Sequence, residues 1–125
     1  MEQRVQVLVA DDEVHTRQGL QALLAAWPEI EVMGAAANGV EVIQLMEKYR
    51  PDVALMDILK PEVDGLEAIR LIKSRWPQVR IVVLTMYATH RAAALAAGAD
   101  AFLLKGCPAQ DLLEAIVSQA SIGQG

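Results

Sequence analysis

Short apolar runs alternate along this chain with stretches in which apolar residues return every three or four positions. VQVLVA (Val5–Ala10) predicts a strand, and Leu20, Leu23, Leu24 and Trp27 then recur at helical spacing. IEVMGAA (Ile30–Ala36) predicts a second strand, with Asn38-Gly39 as a turn signal. Val42, Leu45, Met46 and Tyr49 mark a helix ended by Pro51, and VALMD (53–57) is the third strand. Leu66, Ile69, Ile72 and Trp76 mark a helix ended by Pro77, before the strand RIVVLT (Arg80–Thr85). An alanine-rich helix is expected over 90–97, with Gly98 as its stop. AFLLK (101–105) is the fifth strand. Pro108 fits the first turn of a last helix that buries Leu112, Leu113, Ile116 and Val117.

Five such units with short joints imply an α/β fold, a parallel sheet with helices on both faces. Continuously apolar strands agree, because parallel strands are buried on both sides. The two Trp-Pro joints, at Trp27 and Trp76, read as one helix-to-strand solution used twice, with both indoles as packing anchors. The tail SQASIGQG loses the helical pattern, so the domain is expected over 1–119, with 120–125 frayed or opening a linker.

Composition narrows the picture. With 54% hydrophobic and 22% charged residues, 125 residues suit one compact domain and argue against disorder. No apolar run reaches the ~20 residues that span a bilayer, and the acidic start does not suit a signal peptide, so a soluble cytoplasmic protein is expected. Net charge is −5 with no basic run, which makes this chain alone a poor ligand for nucleic acid or anionic membrane. The lone Cys107 excludes an internal disulfide and reads as a reduced thiol. His15 and His90 are not at metal-ligand spacing and are expected at the surface. Neither G-x-x-x-x-G-K nor G-x-G-x-x-G occurs, so nucleotide binding is not expected.

Function in such a sheet gathers outside the carboxyl ends of the strands. Those ends carry Asp11, Asp12 and Glu13 (first strand), Asp57 (third), Thr85 (fourth) and Lys105 (fifth). If the strand order is 2-1-3-4-5, the first and third strands are neighbours about 4.8 Å apart, and Asp57 faces the Asp11–Asp12 pair. Like charges ~5 Å apart cost roughly 3 kcal/mol per pair at an effective dielectric near 20. Three carboxylates there need a raised pKa or a cation. Magnesium, which takes oxygen ligands and keeps waters or phosphate oxygens, is the simpler solution. Lys105 adds a point charge suited to an anion, and Thr85 a hydroxyl donor. Together they suit a phosphoryl group beside a metal, with a carboxylate as nucleophile. Singly, each residue has a plainer reading: Asp12 as a helix cap, Asp57 as a turn residue, Thr85 as a strand end, Lys105 as a surface lysine. Their joint placement at four strand ends favours the site.

VLVADDEVHTRQGLQALL, MDILKPEVDGLEAI, VVLTMY and AGADAFLLKG occur in order, and with them the chain resembles the receiver domain of bacterial two-component response regulators, closest to the NarL/FixJ type with LuxR-type output. The resemblance implies a flavodoxin-like (βα)5 doubly wound parallel sheet of order 2-1-3-4-5 and phosphorylation of Asp57 by a partner histidine kinase. It implies that Asp12, Asp57 and the backbone carbonyl of Leu59 bind Mg2+, with Asp11 supporting it through water. It implies that Thr85 and Lys105 hold the phosphoryl oxygens and that Thr85 and Phe102 form the switch. Such receivers commonly precede a helix-turn-helix domain, so DNA contact would come only through an output domain not in this chain, and a homodimer is possible.

Several positions depart from the usual pattern. Lys60 stands where an apolar residue is common, and Gly106 rather than proline follows Lys105. The stretch from Thr85 to Gly98 is shorter than usual and lacks the acidic residues that commonly follow TMY, which bears on the fourth helix and leaves the acidic pocket intact. Leu59 and Tyr87 fall where the family tunes dephosphorylation, and the apolar Leu59 is expected to give a long-lived phosphoprotein. Two other readings compete: a phosphorylation-independent pseudo-receiver used for interaction or dimerisation, and a phosphohydrolase with Asp57 as nucleophile. The second is disfavoured because Leu59 stands where such enzymes place another acid.

Overall fold

The computed structural model describes residues 4–57 and 63–122. Five strands form one parallel sheet: β1 (Val5–Ala10), β2 (Ile30–Ala36), β3 (Val53–Met56), β4 (Arg80–Thr85) and β5 (Ala101–Leu104). The helices are α1 (Val14–Ala25), α2 (Gly39–Tyr49), α3 (Val63–Arg75), α4 (Arg91–Ala97) and α5 (Ala109–Ile122). The sheet order is β2-β1-β3-β4-β5, the flavodoxin-like order. The sequence pattern places β1, β2 and β4 to the residue, and the fifth helix runs to Ile122, past the end of the apolar repeat.

Alternation along the strands builds two cores. Leu8, Ala10, Ala54, Met56, Ile81 and Val83 meet Val42 and Met46 of α2, Ile69 and Ile72 of α3, and Ala94 of α4 on one face. Val7, Val9, Val53, Leu55, Val82 and Leu84 meet Leu24 of α1 and Leu112 and Ile116 of α5 on the other. Leu113 and Val117 pack against this second core without being fully buried. Double burial holds for β1, β3 and β4. The edge strands β2 and β5 are mostly half-buried, because each has a neighbour on one side only.

Local rules set the joints. Asn38 caps α2, its Oδ1 accepting from the Glu41 N–H at 2.9 Å, while Glu41 Oε1 accepts from the Ala37 N–H at 2.7 Å. Arg50 closes α2 in the left-handed region (φ 51°), immediately before Pro51. Both Trp-Pro joints have the same geometry. The Trp27 carbonyl accepts from the Ile30 N–H at 3.1 Å, and the Trp76 carbonyl from the Val79 N–H at 3.0 Å. The fourth helical region begins with a 3-10 turn at Ala88–His90, so α4 itself is only seven residues long.

The amino ends of the strands are tied by polar bonds. Lys73 at the end of α3 donates to the Val79 carbonyl at 2.9 Å and to Asp100 at 3.0 Å. Asp100 also accepts from the Ile81 N–H at 2.8 Å, joining α3, β4 and the α4–β5 turn. Gly98 in that turn has φ +121°, and a β-carbon there would lie 2.9 Å from Lys73 Cγ. Gly19, inside α1, has nothing within 4 Å of such an atom. Gly19→Ala is expected to stabilise the fold by about 0.5–1 kcal/mol in urea unfolding. Gly98→Ala is expected to destabilise it by more than about 1 kcal/mol. A Gly98→Ala chain as stable as the parent would contradict this account of the turn.

Candidate functional site

Strand register alone gathers the functional residues at one rim. Ala10 of β1 pairs with Met56 of β3, so Asp11 and Asp57 follow side by side. The Asp57 N–H donates to the Ala10 carbonyl at 2.9 Å, and the Asp11 N–H to the Ala36 carbonyl at 3.0 Å. Thr85 of β4 pairs with Leu104 of β5, and the Lys105 N–H donates to the Thr85 carbonyl at 2.8 Å. The chain then turns away at Gly106, whose φ is +95°.

Lys105 points back across the rim. Its Nζ lies 2.6 Å from Asp57 Oδ2 and 3.0 Å from Asp11 Oδ2. The Asp11 and Asp57 side chains are 0% and 1% exposed, and that of Lys105 17%. Asp11 Oδ1 accepts from the Glu13 N–H at 2.9 Å. Asp57 Oδ1 is buried and has no hydrogen-bond partner among the described residues. Burial pushes the Asp57 pKa up to about 6, and the Asp11 charge adds to the rise while Lys105 opposes it. Burial works against the Lys105 ammonium, but its bonds to Asp57 and Asp11 outweigh that and hold its pKa above the ordinary value.

Of the residues expected at the site, Asp11, Asp57 and Lys105 meet directly, and buried Thr85 adjoins them through its bond to Lys105. Asp12 follows Asp11 and is exposed. It does not cap α1: Glu13 does, accepting from the Thr16 N–H at 2.7 Å. The capping role of Glu13, and the bond from Arg17 to the Asp11 carbonyl at 2.7 Å, are not read from the sequence, which places Glu13 only at the end of the first strand. An arginine in the first turn of a helix, where a cation is disfavoured, was the available signal for the latter. Phe102 is half-buried against the first core, with the Arg91 guanidinium 5.9 Å from its ring centre. The Leu59 carbonyl and Lys60 lie outside the described residues.

The ammonium of Lys105 bridges the two buried acids, and Asp57 also has a raised pKa. Among the described residues no three His, Cys, Asp or Glu side chains are grouped to hold a metal. The unsatisfied Asp57 Oδ1, beside hard oxygen donors, nonetheless fits a cation that takes one or two carboxylates and keeps its waters, as magnesium does.

Other groups lie elsewhere. Burial and Asp111 push the half-buried Cys107 thiol up, against a role as nucleophile. His15 is exposed beside Glu13, and His90 is half-buried near the Tyr87 ring. A groove of about 690 Å³ between α2 and α3, lined by Val40, Ile43, Ala68 and Leu71 among others, shares no residue with the acidic rim. Among the described residues no helix is long and apolar enough to cross a membrane.

Residues 7–117 match the family model of the response regulator receiver domain. The chain is 40% identical over 120 residues to the transcriptional regulatory protein DegU of Brevibacillus brevis, covering 92% of this chain and 50% of that protein. It is 36% identical over 114 residues to the response regulator protein VraR of Staphylococcus aureus, covering 90% of this chain and 54% of that one. The signal receiver domain of a Mycobacterium tuberculosis NarL response regulator superposes with a TM-score of 0.87 at 28% identity, covering 96% of this chain and 98% of that one. This chain thus spans about half the length of the curated relatives it matches.

The raised Asp57 pKa has a consequence for stability. Folding favours the protonated acid, so this group's contribution is fully present below its unfolded value of 3.8 and is lost as pH rises through about 6. Asp57→Asn removes that loss. In metal-free urea unfolding at pH 7.5, the Asn variant should exceed the parent by about 1–3 kcal/mol, and the gap should close towards pH 4. An Asn variant less stable than the parent at pH 7.5 would refute the assigned electrostatics.

Proposed function

The chain belongs to the response regulator receiver family, on its NarL/FixJ branch, and from that premise we propose that it is a phospho-accepting switch with Asp57 as acceptor. The observation that carries this reading is Asp57 Oδ1, a buried carboxylate oxygen without a partner among the described residues, at the rim where Asp11, Thr85 and Lys105 converge. A buried acceptor oxygen with nothing to accept from is costly unless a ligand uses it. Asp57 would attack the phosphorus of a phosphohistidine or small acyl phosphate, forming an O–P bond as the donor's N–P or O–P bond breaks and the leaving group keeps its electron pair. The ionised acid is the nucleophile, so a pKa near 6 leaves it competent at neutral pH.

Lys105 is within reach to exchange Asp57 for a phosphoryl oxygen, and the Thr85 hydroxyl would take another. Asp11, Asp12, Asp57 and the Leu59 carbonyl would hold a magnesium ion, whose charge offsets that of the phosphoryl oxygens. Phe102, packed behind Thr85's strand on β5, would follow Thr85 in a two-state shift driven by the new contacts. Turnover of other phosphate esters is not part of this reading, and the only chemistry is gain and loss of the phosphoryl group on Asp57.

The partner would be a histidine kinase, met by this protein in the cytoplasm. The names of the relatives point to control of transcription. That control would be exerted through a DNA-binding output domain outside the receiver (1–119), with 120–125 as a frayed tail or the start of a linker. A homodimer would be one way to transmit the signal.

Intact mass after incubation with acetyl phosphate tests the acceptor. One magnesium-dependent phosphoryl adduct per chain is expected, absent from Asp57→Asn. Folded, magnesium-binding protein that takes no adduct from acetyl phosphate or from a kinase would favour the interaction-module reading instead.

A further inference from the structure

The stretch from Thr85 to Gly98 departs from the family pattern in length and in charge. It holds no Asp or Glu, and Arg91, the first residue of α4, is its one Lys or Arg. Among the described residues no carboxylate pairs with Arg91. Its guanidinium lies instead 5.9 Å from the centre of the Phe102 ring, within the ~6 Å reach of a cation–π contact. The contact joins an exposed cation to a ring half-buried against the first core. A ring that turned deeper into that core would lose it, because a guanidinium does not follow into apolar surroundings without a partner.

The loop that delivers Arg91 is tied to Thr85. The Tyr87 N–H donates to the Thr85 hydroxyl at 3.4 Å, and the His90 N–H donates to the Tyr87 carbonyl at 3.1 Å. Arg91 is the next residue, so Tyr87 and its 3-10 turn set where α4 begins. A bond of 3.4 Å is long and easily given up. The arrangement in which Lys105 holds Asp57 is thus also the one in which Tyr87 holds to Thr85 and Arg91 covers Phe102. We propose that Arg91 is a positioning residue for the switch, holding the Phe102 ring in its half-buried place and opposing the phosphorylated state. The inference rests on the phospho-acceptor reading and deepens it. An exposed cation–π contact shifts a two-state equilibrium about two- to fivefold.

The test is the affinity of the purified chain for beryllium fluoride, a phosphoryl mimic, at saturating magnesium. Phe102 is the only phenylalanine in the chain, so carbon-13 labels in the ring report it alone. Its signals should move as the mimic binds. A ligand that needs a minor state binds more tightly when that state is more populated. Arg91→Gln should therefore bind the mimic about two- to fivefold more tightly than the parent. Arg91→Lys, which keeps the charge but not the planar group, should fall between them. Loss of a positive charge alone would weaken the binding of an anion, so the sign separates the two causes. In a Phe102→Leu background, Arg91→Gln should leave the affinity unchanged. Equal or weaker affinity in folded Arg91→Gln, an undiminished gain without Phe102, or ring signals that stay fixed through saturation would each overturn this inference and leave the acceptor reading standing. A parent chain that binds no beryllium fluoride with magnesium present would overturn both.

Discussion

One ammonium group shared by two buried carboxylates is the constraint on which the functional rim depends. Asp11 and Asp57 are brought side by side by the β1–β3 register, which is itself fixed by core alternation on both faces. A one-residue slip of either strand would turn its apolar set to the wrong face and separate the acids. Lys105 is brought to them by the β4–β5 register and by its own N–H on the Thr85 carbonyl. The sheet therefore forces two acids together, and the fifth strand delivers the charge that makes this tolerable.

The two ends of the sheet solve the same problem differently. At the amino end, Asp100 and Lys73 are both engaged by backbone groups as well as by each other, so the pair closes the fold. At the carboxyl end the pairing stays incomplete, because Asp57 Oδ1 accepts no bond from the described residues and the acid's pKa is raised. A buried pair left unsatisfied in this way detracts from stability. Such departures from good local practice concentrate where function requires them. The capacity to accept a cation and a phosphoryl group follows from the unmet demand at that oxygen.

Much of this was legible in the sequence. Strand positions follow from apolar runs, helix ends from Pro51, Pro77 and Gly98, and the rim from listing what stands at each strand end. The motifs in order also carried the family, which the match over residues 7–117 bears out. What escaped depends on side-chain reach across space. Spacing cannot tell that Glu13 rather than Asp12 caps α1, since both precede the helix. Nor can it tell that Lys105 lies against the acids, or that Arg17 folds back onto the Asp11 carbonyl. Continuous apolar runs also overstated the burial of β2 and β5, because run length does not reveal which strands lie at the sheet edge.

The most direct measurement of the central claim is a carboxyl carbon-13 NMR pH titration of Asp57 in the metal-free chain, beside Lys105→Met. The shared-ammonium account predicts an inflection near 6 in the parent and a higher one when the lysine is removed. An Asp57 that titrates at its ordinary value, and does not respond to loss of Lys105, would contradict it.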